Sequence, residues 1–373
     1  MATLTASKRI APPKRLLYGP GPSMVEPRAY EALAQPVVGL RDPYFLEVMA
    51  GIQTGLREVF GTANEKTFMV PAGGSGAMEA AIANFVEPGS KCLIFSAGVF
   101  AERMATMAER QQAKVIRVEG KWGEVFTEEQ ATDAIEREQP QTVAFVQAET
   151  STGVYQSGRA IVGAAKKAGA LVIGDTVTSL GAMPVELDEV GIDVAFSCSQ
   201  KGLSCPAGLA PVSISAQAWE RLRARPEPPF TWYLDLQLLA KYFEPPNAYH
   251  HTPSPPLYYA MHQGLAAIQE EGLENRWRRH RRAGERLVKG LASLGFELFV
   301  KEAENRLWHL TTVRPPAEVS EAKLREKLMA QFGIEIASGL GRLEGKVVRI
   351  GIMGPLASDA SVDHLLDAIE SCL

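Results

Sequence analysis

The sequence predicts an α/β protein in which a mostly parallel sheet, covered by helices on both faces, is followed by a smaller α+β unit. Three observations carry this. Short apolar runs recur at 67–70, 92–95, 114–118, 142–146, 171–173, 194–196 and 210–215, and such runs suit strands buried on both faces. Helical patterns fill several of the gaps, including 99–112, 127–138 and 159–168, so strand and helix alternate. From about Pro255 the order changes to long helix, short strands and helix again. At 373 residues the chain also exceeds what one core usually spans, so two domains are expected.

In chain order, residues 1–15 are polar, basic and proline-containing, an arm either disordered or laid on another surface. Gly19-Pro20-Gly21-Pro22 is a rigid turn that opens the folded part. A helix is predicted over 44–60, where Phe45, Val48, Met49, Ile52, Leu56 and Val59 recur at helical spacing. Strand 67–70, the turn Gly73-Gly74-Ser75-Gly76 and the helical pattern 77–85 then follow one another directly. Residues 257–293 read as a long helix, interrupted or bent near Glu271-Gly272, with a basic exposed face at Arg276-Trp277-Arg278-Arg279-His280-Arg281-Arg282. After it come the runs 297–300 and 307–313, a helix over 322–332, the runs 334–336 and 347–350, and a closing helix over 358–369. The expected division is an arm (1–15), a large domain (16–270) and a small domain (271–373).

Composition narrows the function classes. Apolar residues make up 46% and charged residues 22%, as in an ordinary globular protein. A net charge of −4 provides no general attraction for a polyanion, so neither nucleic acid nor an anionic membrane is an expected partner. Cys92, Cys198, Cys205 and Cys372 show no C-x-x-C spacing, which predicts free thiols in a reducing compartment. Residues 1–14 lack the apolar core of a signal peptide, and no run is apolar enough for a membrane span, so the expected location is cytoplasmic.

Two residues then stand out. Asp175 closes the run 171–173 and Lys201 follows the run 194–196 within Ser197-Cys198-Ser199-Gln200-Lys201-Gly202. One carboxylate and one amine, each delivered by the end of a buried strand, are what a pyridoxal phosphate enzyme needs: the acid keeps the pyridine nitrogen protonated and the amine holds the aldehyde as a Schiff base. The competing readings are a turn-capping Asp175 and a solvated surface Lys201; small uncharged neighbours weaken the latter. Gly74, Ser75 and Gly76 lie in a glycine turn that can cup a phosphate against a helix start, although a plain turn with an N-cap reads the same. It is neither G-x-G-x-x-G nor a Walker A motif, so nicotinamide and nucleoside triphosphate lose their usual support. Glu149-Thr150-Ser151-Thr152-Gly153 brings hydroxyls to another strand end, for a ligand or simply for the turn. Arg349, inside an apolar strand-like run, needs a partner: a substrate carboxylate or an internal Asp or Glu.

As an ordered set, Gly19-Pro20-Gly21-Pro22, Gly73-Gly74-Ser75-Gly76 with Glu79, Glu149-Thr150-Ser151-Thr152-Gly153, Asp175-Thr176-Val177, Ser199-Gln200-Lys201-Gly202 and Arg349-Ile350-Gly351 resemble the class V aminotransferases. The likeness runs from about residue 16 to the C-terminus, in the branch of alanine–glyoxylate and serine–glyoxylate (serine–pyruvate) aminotransferases. It implies the type I fold of pyridoxal-phosphate-dependent transferases, with a mostly parallel seven-stranded sheet. It implies Lys201 as the cofactor-linked lysine, Asp175 as the pyridinium partner, and Gly74, Ser75 and Gln200 on the phosphate. Phe100 falls where the family stacks an aromatic, often Trp, on the ring; Val177 packs on the opposite face and Thr150 contacts the cofactor. Arg349 corresponds to the arginine that binds the substrate α-carboxylate, and Tyr249 and Thr252 to residues that reach the cofactor phosphate of a neighbouring subunit, which implies a homodimer with active sites at the interface.

The implied reaction passes an amino group from a small amino acid, alanine or serine, to a 2-oxo acid, glyoxylate. Alternatives are another donor, such as a ureido amino acid or aminophosphonate, or a cysteine desulfurase-like lyase, which would want a mobile reactive thiol at Cys198 or Cys205. Trp232, Tyr233 and residues 41–44 are candidates to trim the pocket. No metal is assigned, because the adjacent His250 and His251 should point apart on an extended chain and no further ligand cluster accompanies them.

Overall fold

A computed structural model describes residues 10–373; residues 1–9 of the expected arm lie outside them. The first ten strands are β1 (Leu16–Leu17), β2 (Lys66–Val70), β3 (Lys91–Ser96), β4 (Lys114–Glu119), β5 (Thr142–Val146), β6 (Ala148–Glu149), β7 (Val154–Tyr155), β8 (Leu171–Asp175), β9 (Val194–Phe196) and β10 (Ala210–Ile214). Seven of them form one sheet in the order β2-β10-β9-β8-β5-β3-β4. All neighbours are parallel except those of β10, which runs against both β2 and β9.

Register determines where the chemistry can sit. Val146 lies opposite Asp175, and Asp175 opposite Phe196. Val70 pairs with Ala210 at the start of β10, so β2 also ends on that side. The chain therefore leaves β2, β3, β5, β8 and β9 at one edge of the sheet, where open α/β sheets bind their ligands.

The helix predicted over 44–60 is Pro43–Phe60. Asp42 caps its start by accepting from Tyr44 N (2.9 Å), and Gly61, at φ 66°, closes it in the left-handed region. Its apolar stripe of Phe45, Met49, Ile52 and Leu56 is buried in the main core.

The long helix is two, Pro255–Glu271 and Leu273–Ser293, broken at Gly272 (φ 78°). Beyond them β11 (Glu297–Leu298), β12 (Leu310–Arg314), β13 (Ile334–Glu335), β14 (Ala337–Ser338) and β15 (Val348–Gly351) complete the strands. An antiparallel sheet of order β11-β12-β15-β14 packs on a second core that includes Leu287, Val313, Leu328, Ile350 and Leu365. The run 307–313 enters the sheet only at Leu310, because Leu307 N instead donates to Gly153 O (3.1 Å). The chain's start joins this second unit: β1 pairs in parallel with β13, and Tyr18 is buried in the second core.

The basic face expected on 276–282 needs correction. Arg276 is 4% exposed and His280 fully buried, because 276, 280, 283, 287 and 291 share one face of the helix Leu273–Ser293 and that face packs inward. Arg276 is paired with Glu271 (3.0 Å) and donates to the carbonyls of Gly181 and Gly202 (2.7 Å each). Arg278, Arg281 and Arg282 do face solvent.

Candidate active site

After β2, the glycine run is itself the first turn of the helix Gly74–Phe85, so that helix starts earlier than the pattern 77–85 suggested. Gly73 is its extended N-cap and offers no side chain, and Gly76 N already bonds back to Gly73 O (2.9 Å). The first amides of a helix have no partner within it, so those of Gly74 and Ser75 point outward at its positive end. A Cβ on Gly74 would stand 3.3 Å from both Val177 Cγ2 and Cys198 Cβ, which places the helix start against the segments leaving β8 and β9. Ser75 is exposed, and its hydroxyl accepts from Arg103 (2.9 Å).

Asp175 ends β8 and is 2% exposed. One oxygen accepts from Val177 N (2.8 Å). Burial pushes its pKa up to about 7; the charge of Glu149 adds to the rise, while Lys201 and Arg103 oppose it.

Lys201 leaves β9 through a short loop and is drawn into the fold. Its ammonium donates to Pro20 O, and Ser23 binds the carbonyls of Lys201 through its hydroxyl and of Gln200 through its amide (2.8 Å each). Gly21, at φ 131°, passes so close that a Cβ there would overlap the end of the lysine side chain. The turn Gly19-Pro20-Gly21-Pro22 is thus the wall against which Lys201 lies. Burial lowers the lysine pKa, and the Arg349 charge lowers it further, while Cys198 and Asp175 pull it up. Lys201 and Asp175 therefore lie within reach of each other's charge.

Glu149-Thr150-Ser151-Thr152-Gly153 forms the tight hairpin between β6 and β7, with Gly153 N bonded to Glu149 O (2.8 Å). Thr150 is buried and shares a hydrogen bond with Thr178 (2.6 Å). Arg349, on β15, is 5% exposed and donates to Ser338 O (2.8 Å) and Thr150 O (3.2 Å). Among the described residues it has no carboxylate partner at ion-pair distance, so the expected alternative of an internal Asp or Glu is not what the fold supplies. Burial brings its pKa down to about 10, and Glu149 alone counters.

Phe100 is half-buried with the Arg103 guanidinium over its ring (4.8 Å), Val177 is half-buried, and Gln200 keeps a buried Oε1 without a hydrogen bond. Tyr249 and Thr252 lie apart from this group. Both are exposed and hydrogen-bonded to each other (3.0 Å), and Tyr249 lines an open cleft of about 510 Å³ with Arg41 and Tyr242. His250 and His251 do not point apart as expected. Their Nδ1 atoms are 3.1 Å from each other because both rings turn inward, His250 stacking on Trp232 (4.4 Å). No cluster of three metal-ligating side chains exists among the described residues. Trp232 and Tyr233 are exposed.

Three polar residues at the site went unread in the sequence. Arg103 sits one turn beyond Phe100, a spacing that could have flagged it. Glu149 stands out in the sequence only as part of its motif. His309 is fully buried with neither ring nitrogen in a well-formed hydrogen bond; burial together with the Lys201 charge brings its pKa down to about 3, against the opposing effect of the nearby Thr178 backbone, and its flanks, Trp308 and Leu310, read as plain core.

These residues suit pyridoxal phosphate: a helix start open to a phosphate, a buried acid for a ring nitrogen, and an amine for an aldehyde. The chain matches the aminotransferase class-V family model over residues 30–356. It is 36% identical to alanine–glyoxylate aminotransferase of Drosophila melanogaster across 97% of this chain and 93% of that one. It is 34% identical to (S)-ureidoglycine–glyoxylate transaminase of Bacillus subtilis, across 99% and 93%. Among solved structures, alanine–glyoxylate aminotransferase from Nostoc sp. superposes with a TM-score of 0.96 at 42% identity, covering 100% of both chains. The chain belongs to the class V aminotransferases and is a pyridoxal-phosphate-dependent enzyme.

Proposed function

We propose that this enzyme moves an amino group from a small amino acid, alanine or serine, to glyoxylate. The observation that carries the reading is Arg349, a buried cation held only by carbonyls, whose charge is felt at Lys201. A carboxylate is the one group that the amino acid and the oxo acid share, and a single guanidinium can hold either in turn. The names of relatives of nearly the same length support glyoxylate as acceptor.

Bound pyridoxal phosphate supplies an aldehyde that links to amino groups and a ring that draws electrons from the substrate Cα. Gly74, Ser75 and Gln200 would hold its phosphate, with Gly76, whose amide is taken by Gly73 O, shaping the turn; Phe100 and Val177 would flank the ring, Thr150 would offer a contact, and Asp175 would hold the proton on the ring nitrogen. Lys201 Nζ takes the proton from Cα and returns it on the other side of the transfer, a role helped by the burial that favours its neutral form. Arg349 fixes the carboxylate so that the Cα–H bond keeps one orientation toward that amine.

The proposed working unit is a homodimer in which the exposed hydroxyls of Tyr249 and Thr252 reach the partner's cofactor phosphate. Within each chain, residues 16–270 would form the cofactor-binding domain, apart from β1 and Tyr18, which join the smaller domain of 271–373. Four unpaired, buried cysteines support a cytoplasmic location; among the described residues no helix is long and apolar enough to cross a membrane. Desulfurase chemistry is disfavoured because Cys198 and Cys205 are buried and their pKa values are pushed up to about 12.

The second reading, a ureido amino acid as donor, is favoured by the Bacillus subtilis relative, whose solved counterpart has a TM-score of 0.95. A matrix of alanine, serine and ureidoglycine against glyoxylate, pyruvate and 2-oxoglutarate separates them. The highest kcat/KM is expected for alanine or serine with glyoxylate; a clear preference for ureidoglycine, or for 2-oxoglutarate as acceptor, overturns the first reading.

A further inference from the structure

The helix Val99–Arg110 carries both Phe100 and Arg103, yet its N-cap is Gly98, which has no side chain to close it. The leading amides of a helix lack intrahelical partners, and leaving them unpaired in a buried setting is costly. The closure comes from far along the chain. Val99 N donates to Ser151 Oγ (3.0 Å), and Ser151 passes the bond on, its hydroxyl (2.5 Å) and amide (3.0 Å) both donating to Glu149 Oε1. The amides of Phe100 and Ala101 face the same carboxyl group. A Cβ on Gly98 would overlap the Glu149 side chain, so the absence of a local cap and the close approach of the distant one have one cause.

Glu149 is 5% exposed, and its Oε2 has no hydrogen bond of its own. Burial raises the pKa of this deep carboxyl group, and the donors of Ser151, Ala101 and Phe100 at the positive end of the helix oppose that rise. The following residue ties the arrangement to the substrate side, since Thr150 O accepts from Arg349. A Cβ on Gly341 would come within 3.2 Å of Val99, so the helix start also abuts the small-domain loop.

We infer that Glu149 is a positioning residue of the active site: its buried carboxylate caps the helix that bears Phe100 and so holds the Phe100 ring at the height where it covers the cofactor. The inference rests on the reading that Phe100 stacks on pyridoxal phosphate.

The test uses holoenzyme of the wild type, Glu149→Gln, Glu149→Asp, Phe100→Ala and the Glu149→Gln/Phe100→Ala double variant, with equal loading verified by borohydride reduction and mass spectrometry. Circular dichroism of the bound-cofactor band and the cofactor dissociation constant are measured. Phe100→Ala is expected to weaken the band. Both Glu149 variants should weaken it too and loosen the cofactor by about twofold to thirtyfold, the range for interactions at helix ends, while the double variant goes no further than Phe100→Ala. Glu149→Asp keeps the carboxyl group but draws it back by one methylene, so it decides the matter if the Gln variant does not fold. Glu149 variants that melt earlier yet keep wild-type dichroism and affinity would reduce the residue to a stability cap and overturn the inference. A wild-type band and affinity in Phe100→Ala would instead remove the stacking reading, and the inference with it.

Discussion

Replacing Asp175 with asparagine should change how the cofactor-free enzyme's stability depends on pH. In the folded chain the carboxyl accepts one hydrogen bond, from Val177 N, and burial raises its pKa from 3.8 to about 7. The unfolded chain releases this proton near the lower value, so between the two pKa values the folded state binds more protons than the unfolded one. Unfolding free energy then falls as pH rises. The stabilisation from the proton is complete below pH 3.8 and is lost as pH climbs through about 7. From about pH 5 upward roughly two units of that window remain, each worth about 1.4 kcal/mol, or about 3 kcal/mol in all. The amide of the Asp175→Asn variant carries no such proton. Urea unfolding of apo wild type and apo Asp175→Asn at about pH 5 and about pH 8 should show the wild type losing about 3 kcal/mol relative to the variant. Adding pyridoxal phosphate should narrow the gap, because a protonated ring nitrogen then compensates the carboxylate. Equal pH slopes in the two apoproteins would refute the argument that this acid is buried without a counter-charge sufficient to ionise it.

Lys201→Ala should abolish turnover and the mass added by borohydride while leaving cofactor held through its phosphate; normal turnover would remove the lysine from the mechanism. Arg349→Lys loses the planar fork that now reaches Ser338 O and Thr150 O, and kcat/KM for alanine should fall at least about thirtyfold, the lower bound for disturbing a buried charge pair. Its half-reaction with a carboxylate-free amine, followed spectroscopically, should be unchanged, and an equal loss there would contradict the carboxylate role. Tyr249→Phe and Thr252→Ala should each weaken cofactor binding about tenfold, as expected for a hydrogen bond to a charged phosphate; wild-type affinity in fluorescence titrations of both would count against the cross-subunit contact.

Local patterns in the chain carried much of the fold. Each of the seven apolar runs is a strand of the main sheet within a residue or two; six are largely buried, as strands covered on both faces are, while β4 lies at the sheet edge with none of its residues buried. The break at Gly272 was equally legible, since glycine there takes a positive φ. Patterning was weaker where a face, rather than a run, mattered. Arg276 sits in a stretch that looks solvated, and only the packing of Ala283, Leu287 and Leu291 shows that its side of the helix faces inward.

What the sequence determined by itself was which segments form the main sheet, where they end to within a residue or two, and which polar residues follow those ends: Asp175, Lys201 and the hydroxyl run from Thr150 to Thr152. The tertiary structure alone decided which ends meet. Parallel pairing at Asp175 and Phe196 brings the β8 and β9 exits side by side, the turn at Gly21 closes over Lys201, and Glu149 caps a helix whose first amide is 52 residues from Ser151. Periodicity reports on neighbours one turn or one pleat away. Strand order and register join residues far apart along the chain, so contacts across the site leave no spacing for a sequence reader to find.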